Sequence, residues 1–148
     1  MSNPSVKALR NSAFAALALA VLSGVWLGAR AQSQAAEFAI ESAETWLAMV
    51  DRGELRRSWK QAATFFRDTV SQRQWMQAVR PVRARLGVLK SRQFKSATYT
   101  SSLPGAPEGD YFVIEFRAQF EHQESAIETV TAMRDRDGEW RVAGYYVK

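Results

Sequence analysis

Between residues 111 and 147 apolar and polar positions alternate in steps of two. Phe112, Ile114, Phe116, Ala118 and Phe120 take one side, and Tyr111, Val113, Glu115, Arg117 and Gln119 the other. That period predicts a strand with one buried face. A second run, Ile127–Arg134, and a third, Trp140–Val147, are joined by Asp137-Gly138, a dipeptide suited to a two-residue hairpin. The turn between the first two of these strands falls near Glu121–Ser125. Val88–Thr100 alternates less cleanly and reads as an earlier strand. Ser102–Gly109, crowded with proline and glycine, is a loop.

Upstream of the strands the period changes. Ala36, Ala39, Ile40, Ala43, Trp46, Leu47 and Val50 recur at three and four, the stripe of a helix that Gly53 ends. A second helix starts at Glu54, with Leu55, Trp59, Ala62 and Phe66 on one face. A third is announced by Ser71 and Gln74 in capping-box spacing, carries Trp75, Val79, Val82 and Leu86, and stops at Gly87. Pro81 is expected to bend or split it. Before all of these, residues 1–31 combine a basic start (Lys7, Arg10), an apolar run (Ala13–Ala29) and Ala29-Arg30-Ala31 as a small-x-small site. This is the pattern of a cleaved export signal, with an uncleaved anchor as the alternative. The remainder, 32–148, is then a single domain in a periplasmic or secreted location.

Placing Asp137-Gly138 in the two turn positions pairs Met133 with Val142, Thr131 with Gly144 and Thr129 with Tyr146, and sets Arg134 opposite Arg141. The first three pairs, with Ile127 and Trp140, make the better core face. The expected architecture is α+β, three N-terminal helices packed on one face of a four-stranded antiparallel sheet. A curved sheet over helices leaves a cone, and Trp59, Thr129, Thr131 and Tyr146 are the candidate lining of a small-molecule pocket there. The alternative is that these hydroxyls bond backbone in a filled core. The opposite face would carry Tyr111, Val113, Val130, Ala132, Ala143, Tyr145 and Val147, an apolar patch fit for a homodimer.

Composition narrows the chemistry. With no cysteine and one histidine, disulfides, thiolate catalysis and Cys- or His-rich metal sites are excluded, and no cofactor is expected. His122 falls in a predicted turn, and Glu128 falls on the presumed outer face, where neither makes a good acid or base. The formal charge of +5 shrinks to +2 once residues 1–31 are set aside, so nucleic acid is not an expected partner. Its distribution says more: residues 51–95 carry +9, flanked by stretches of −3 and −4. Arg73, Arg80, Arg83 and Arg85 on the third helix form a candidate basic face for an acidic partner or an anionic surface, unless it is merely solvated.

The strings Ser96-Ala97-Thr98-Tyr99, Leu103-Pro104-Gly105-Ala106-Pro107-Glu108-Gly109-Asp110-Tyr111, Glu128-Thr129-Val130-Thr131 and Trp140-Arg141-Val142-Ala143-Gly144-Tyr145-Tyr146 resemble the exported bacterial family termed domain of unknown function 4019. The resemblance spans nearly all of Ala36–Val147. It implies export but lends no activity and no catalytic residues. The order of elements also looks like the cystatin-like and nuclear transport factor two-like folds, here without a strand pair between the second and third helices. The leading expectation is a non-catalytic binding or interaction module for a small molecule or an envelope protein, reaching a membrane only through an uncleaved N-terminus. The alternatives are a small pocket enzyme of lyase or isomerase type, by fold analogy, and an envelope structural or stress protein that contacts anionic surfaces.

Overall fold

Four strands in chain order form one antiparallel sheet, β1 (Leu89–Thr100), β2 (Tyr111–Phe120), β3 (Gln123–Arg134) and β4 (Trp140–Val147). Four helices precede them: α1 (Asn11–Asp51), α2 (Leu55–Gln61), α3 (Thr64–Thr69) and α4 (Gln72–Leu86). This computed structural model describes residues 11–148, with side-chain environments from residue 28 onward. The basic start of the expected export signal, and its apolar run up to residue 27, lie outside the residues whose side chains are described. Among the described residues no helix is long and apolar enough to cross a membrane. Contacts divide the chain into Met1–Ala35 and Ala36–Lys148, and everything that follows concerns the second unit.

Local signals set most boundaries. Gly53 and Gly87 take positive φ (72° and 77°) at the ends of α1 and α4, a region open to glycine at little cost. Ser71 caps α4: its Oγ accepts from Gln74 N, and the Gln74 side chain accepts from Ser71 N. Pro81 does not split α4. The carbonyl its ring deprives of a donor belongs to Gln77, and both residues are exposed, on the side of the helix open to solvent.

The second expected helix is two. Ala62 and Ala63 are extended (ψ 161° and 151°) and wholly buried between α2 and α3. Tertiary bonds outbid helical continuation here. Ala63 N donates to Val142 O at 2.8 Å, pinning the break to the edge of β4, and Asp135 accepts from Thr64 N at 2.9 Å in place of a local cap.

The interior lies between the helices and the face of β2 made by Phe112, Ile114, Phe116, Ala118 and Phe120, all buried. On β3 the buried residues are Ala126, Glu128, Val130 and Ala132. This reverses the expected face of β3 and of the last part of β4, while Val142 and Trp140, the latter 5.2 Å from Phe112, keep the inner side expected of them. The cause is two one-residue register shifts. One, between Ala118 and Phe120, sets Phe116 opposite Glu128 and Ile114 opposite Val130. The other lies between Thr131 and Ala132: the hairpin turn holds three residues rather than two, Asp135 N donating to Glu139 O, so Arg141 faces Met133 and Trp140 faces Arg134, and the shift then restores Thr131 opposite Gly144 and Thr129 opposite Tyr146. Since side chains alternate, a slip of one residue exchanges the faces.

The outer-face patch expected to join two copies therefore does not form. Val130 and Ala132 are inside, and Tyr145 packs against Trp46 at 5.6 Å. Tyr111 is buried with Met133 under Leu103, Ala106, Ala63 and Phe65, its hydroxyl donating to Pro107 O. Strand β1 has two register irregularities of its own, between Leu89 and Ser91 and between Phe94 and Ser96.

Candidate functional site

The side chains expected to line a pocket do not come together. Thr129 and Tyr146 are partners in register, but on the outer face of the sheet, where Tyr146 is 60% exposed. Thr131 lies on that same face. Trp59 is on the helical side, half-buried, with its indole N–H donating to Val70 O at 2.7 Å, a bond that ties α2 to the end of α3.

The space intended for a ligand is filled by aromatic rings. Trp46, Phe66 and Tyr145 surround Trp75 with centroids 5.3, 5.6 and 6.2 Å away. The indoles of Trp46 and Trp75 converge on Ser58, donating to its carbonyl at 2.8 Å and to its hydroxyl at 3.0 Å. Ser58 is wholly buried and thereby joins α1, α2 and α4 through one residue.

Beside this cluster sits an ion group that sequence reasoning missed. Glu128 is 0% exposed and receives three donors: Arg92 Nε at 2.6 Å, Tyr145 Oη at 2.7 Å and Arg83 Nη1 at 3.3 Å. Asp51, at the end of α1, receives Arg83 Nη2 at 2.5 Å and both Arg92 terminal nitrogens at 2.7 and 3.0 Å. Two carboxylates and two guanidiniums, from α1, α4, β1 and β3, make a neutral, closed set. Arg83 also lies 4.9 Å from the centroid of the Phe120 ring. Burial alone would lower the Arg92 pKa, but the hydrogen bonds to Asp51 and Glu128 outweigh it and the net shift is upward. Burial, reinforced by the Glu128 charge, likewise raises Tyr145 far above the usual phenol range. Arg83 is thus lost to the expected basic face. Among the described residues no buried side-chain polar atom lacks a partner.

The other three arginines of that face, Arg73, Arg80 and Arg85, are exposed on α4. Arg73 and Arg80 are seven residues apart, two turns on the same side, away from buried Trp75, Val79 and Leu86. Arg56 and Arg57 are exposed on α2. Only Arg57 of these five has a carboxylate partner among the described residues, Glu54 at 3.1 Å.

A concave surface opens where α2 gives way to α3. A cleft of about 330 Å³ is lined by Lys60, Gln61, Thr64, Arg67, Asp135, Arg136, Asp137 and Arg141. Its two acids are already engaged. Asp135 accepts from Thr64 N, Thr64 Oγ1 and Arg136 N at 2.9–3.0 Å, with Arg141 at 3.5 Å. Burial would raise its pKa, but these donors more than offset that and the net shift is downward. Asp137 is forked by Arg141 at 2.7 and 2.8 Å, and this pairing, helped by Glu139 N, pulls it down to about 2. The Arg134–Arg141 repulsion expected from an ideal hairpin is absent, because the slip in β4 turns Arg141 to these two aspartates instead.

A four-stranded antiparallel meander backed on one face by helices, with a filled polar-aromatic interior and a cationic cleft at a helix break, defines a small two-layer α+β domain. The chain belongs to the family described as Protein of unknown function (DUF4019), which matches residues 42–145. That span takes in the end of α1, the helix break, the ion group and the sheet up to Tyr145 in β4. No curated protein and no solved structure matches it.

Proposed function

We propose that this protein is an exported, non-catalytic binding module that engages an acidic protein partner through its helical side. The supporting observation is the contrast between interior and surface. Inside, each carboxylate is saturated by donors: Glu128 holds three and Asp51 three. A pocket enzyme would need such a group facing open space. On the surface, Arg56, Arg73, Arg80 and Arg85 have no carboxylate partner among the described residues. Guanidinium groups suit acidic side chains, which they grip by paired hydrogen bonds. Export is supported by the basic start, apolar run and small-x-small site of residues 1–31.

The test is binding of the full chain, held in neutral detergent, to a labelled oligo-glutamate peptide across a range of salt. Binding should weaken as salt rises and be lost in R73E/R80E/R85E, whose positions are solvent-exposed. Equal binding by that variant, or none at low salt, overturns the reading.

A further inference from the structure

The cleft between α2–α3 and the β3–β4 turn has a charge the fold leaves unbalanced. Its walls carry four cations, Lys60, Arg67, Arg136 and Arg141, against two carboxylates, Asp135 and Asp137, which leaves +2. Arg141 is spent on the aspartates. The other three cations have no carboxylate partner among the described residues. Arg67 is nonetheless fixed in place. It spans the helix break, donating Nη1 to Lys60 O at 2.9 Å and Nη2 to Thr64 Oγ1 at 3.3 Å. A guanidinium has five N–H donors, so most of its donors remain for a ligand. The position is built rather than incidental, because the extended Ala62-Ala63 pair that opens the cleft is itself clamped by Val142 O, and Thr64 by Asp135.

We propose that this cleft binds a phosphate group. A dianion matches the residual +2, whereas a single carboxylate would leave one cation unmet. One preset guanidinium beside two exposed cations, Lys60 and Arg136, suits a tetrahedral oxyanion approached from several sides. At about 330 Å³ the cleft falls at the small end of ligand pockets. Its lining is charged and polar rather than apolar, so the ionic group dominates recognition. None of these residues lies on α4, so the proposal is separate from the acidic-partner reading.

The test is a titration of the isotope-labelled full chain in neutral detergent with sodium phosphate at constant ionic strength, following the amides of Thr64, Arg67 and Arg136. Saturable shifts are expected there. They should weaken about tenfold or more in K60Q/R136Q, a variant confined to exposed side chains whose thermal transition confirms folding. R67Q should behave alike. Affinity should rise as inorganic phosphate loses its second proton near neutral pH, and at the lower pH of about 6 for glycerol phosphate, a monoester, while sulfate shows no such rise. R73E/R80E/R85E should bind phosphate as the parent does, which separates this result from failure on α4. Tighter binding of glycerol phosphate than of inorganic phosphate identifies an organic monoester as the source, and equal binding identifies the free ion. Shifts that stay linear to about 50 mM, or that are the same in K60Q/R136Q, overturn the proposal.

Discussion

Replacing Glu128 by glutamine tests whether the buried ion group acts as a unit. The amide keeps the volume and can still accept from Tyr145, but it presents an N–H₂ where Arg92 Nε now donates at 2.6 Å. Two donors face each other, and the set moves from neutral to one excess positive charge at a site with 0% exposure. Removing one partner of a buried pair costs about 3–5 kcal/mol, far more than a surface ion pair contributes. For a unit of this size that loss lowers Tm by roughly 10–20 °C. Denaturant titration of the full chain should show a lower midpoint at unchanged slope. The stricter arm is E128M/R92M, which removes a whole pair and leaves Asp51 with Arg83. It should recover at least about 2 kcal/mol of the summed single losses, because no stranded charge remains. An E128Q cost under about 1 kcal/mol, or strict additivity in the cycle, would refute the idea that these charges are coupled.

Acid should loosen the helix break before the sheet. The carboxyls of Asp135 and Asp137 sit below their ordinary range, so the stability they add is full above about pH 4 and fades as pH falls through their folded values, about 2 for Asp137. D135A should cost about 2 kcal/mol at neutral pH through the lost cap of α3 and flatten this acid dependence; an unchanged acid profile in the variant counts against it. Two glycines at helix ends differ in what an added methyl would meet. Gly53→Ala meets nothing within 4 Å and should cost about 1 kcal/mol. Gly87→Ala puts a methyl 2.8 Å from Glu121 Cβ and His122 Cδ2, on a backbone of φ 77° and ψ −159° that glycine alone adopts readily, and should cost clearly more in the same unfolding assay; equal losses would refute both sources of cost.

Much of the architecture could be read from the residues because the signals are local. Ser71 and Gln74 cap α4, the Phe112–Phe120 alternation marks the buried side of β2, and glycines end α1 and α4. What failed was long-range register. In Ile127–Arg134 both sides carry apolar residues, so hydrophobicity cannot choose between them, and the charge of Glu128 argued for the wrong one. A bulge adds one residue to one strand and leaves no fixed sequence mark. The helix break was hidden for a similar reason, since Ala62-Ala63 favours helix and only Val142 and Asp135, far along the chain, pull it straight. A usable signal for the interior existed in α4: Arg83 falls between Val79 and Leu86 on the apolar stripe, and a buried arginine requires a buried acid.

The irregularities of β1 bear on how these molecules meet one another at high concentration. A border strand of twelve residues is long enough to recruit a neighbour's backbone and seed fibrils. Here its spacing is broken at two points, and Lys90 and Lys95 stand beside the breaks, so a second copy laid alongside would find donors and acceptors out of step and like charges crowded together. On the opposite border, β4, the carbonyls of Val142 and Trp140 are already taken by Ala63 N and Ser42 Oγ. Straightening β1 by deleting a bulge residue while neutralising both lysines would remove these safeguards together.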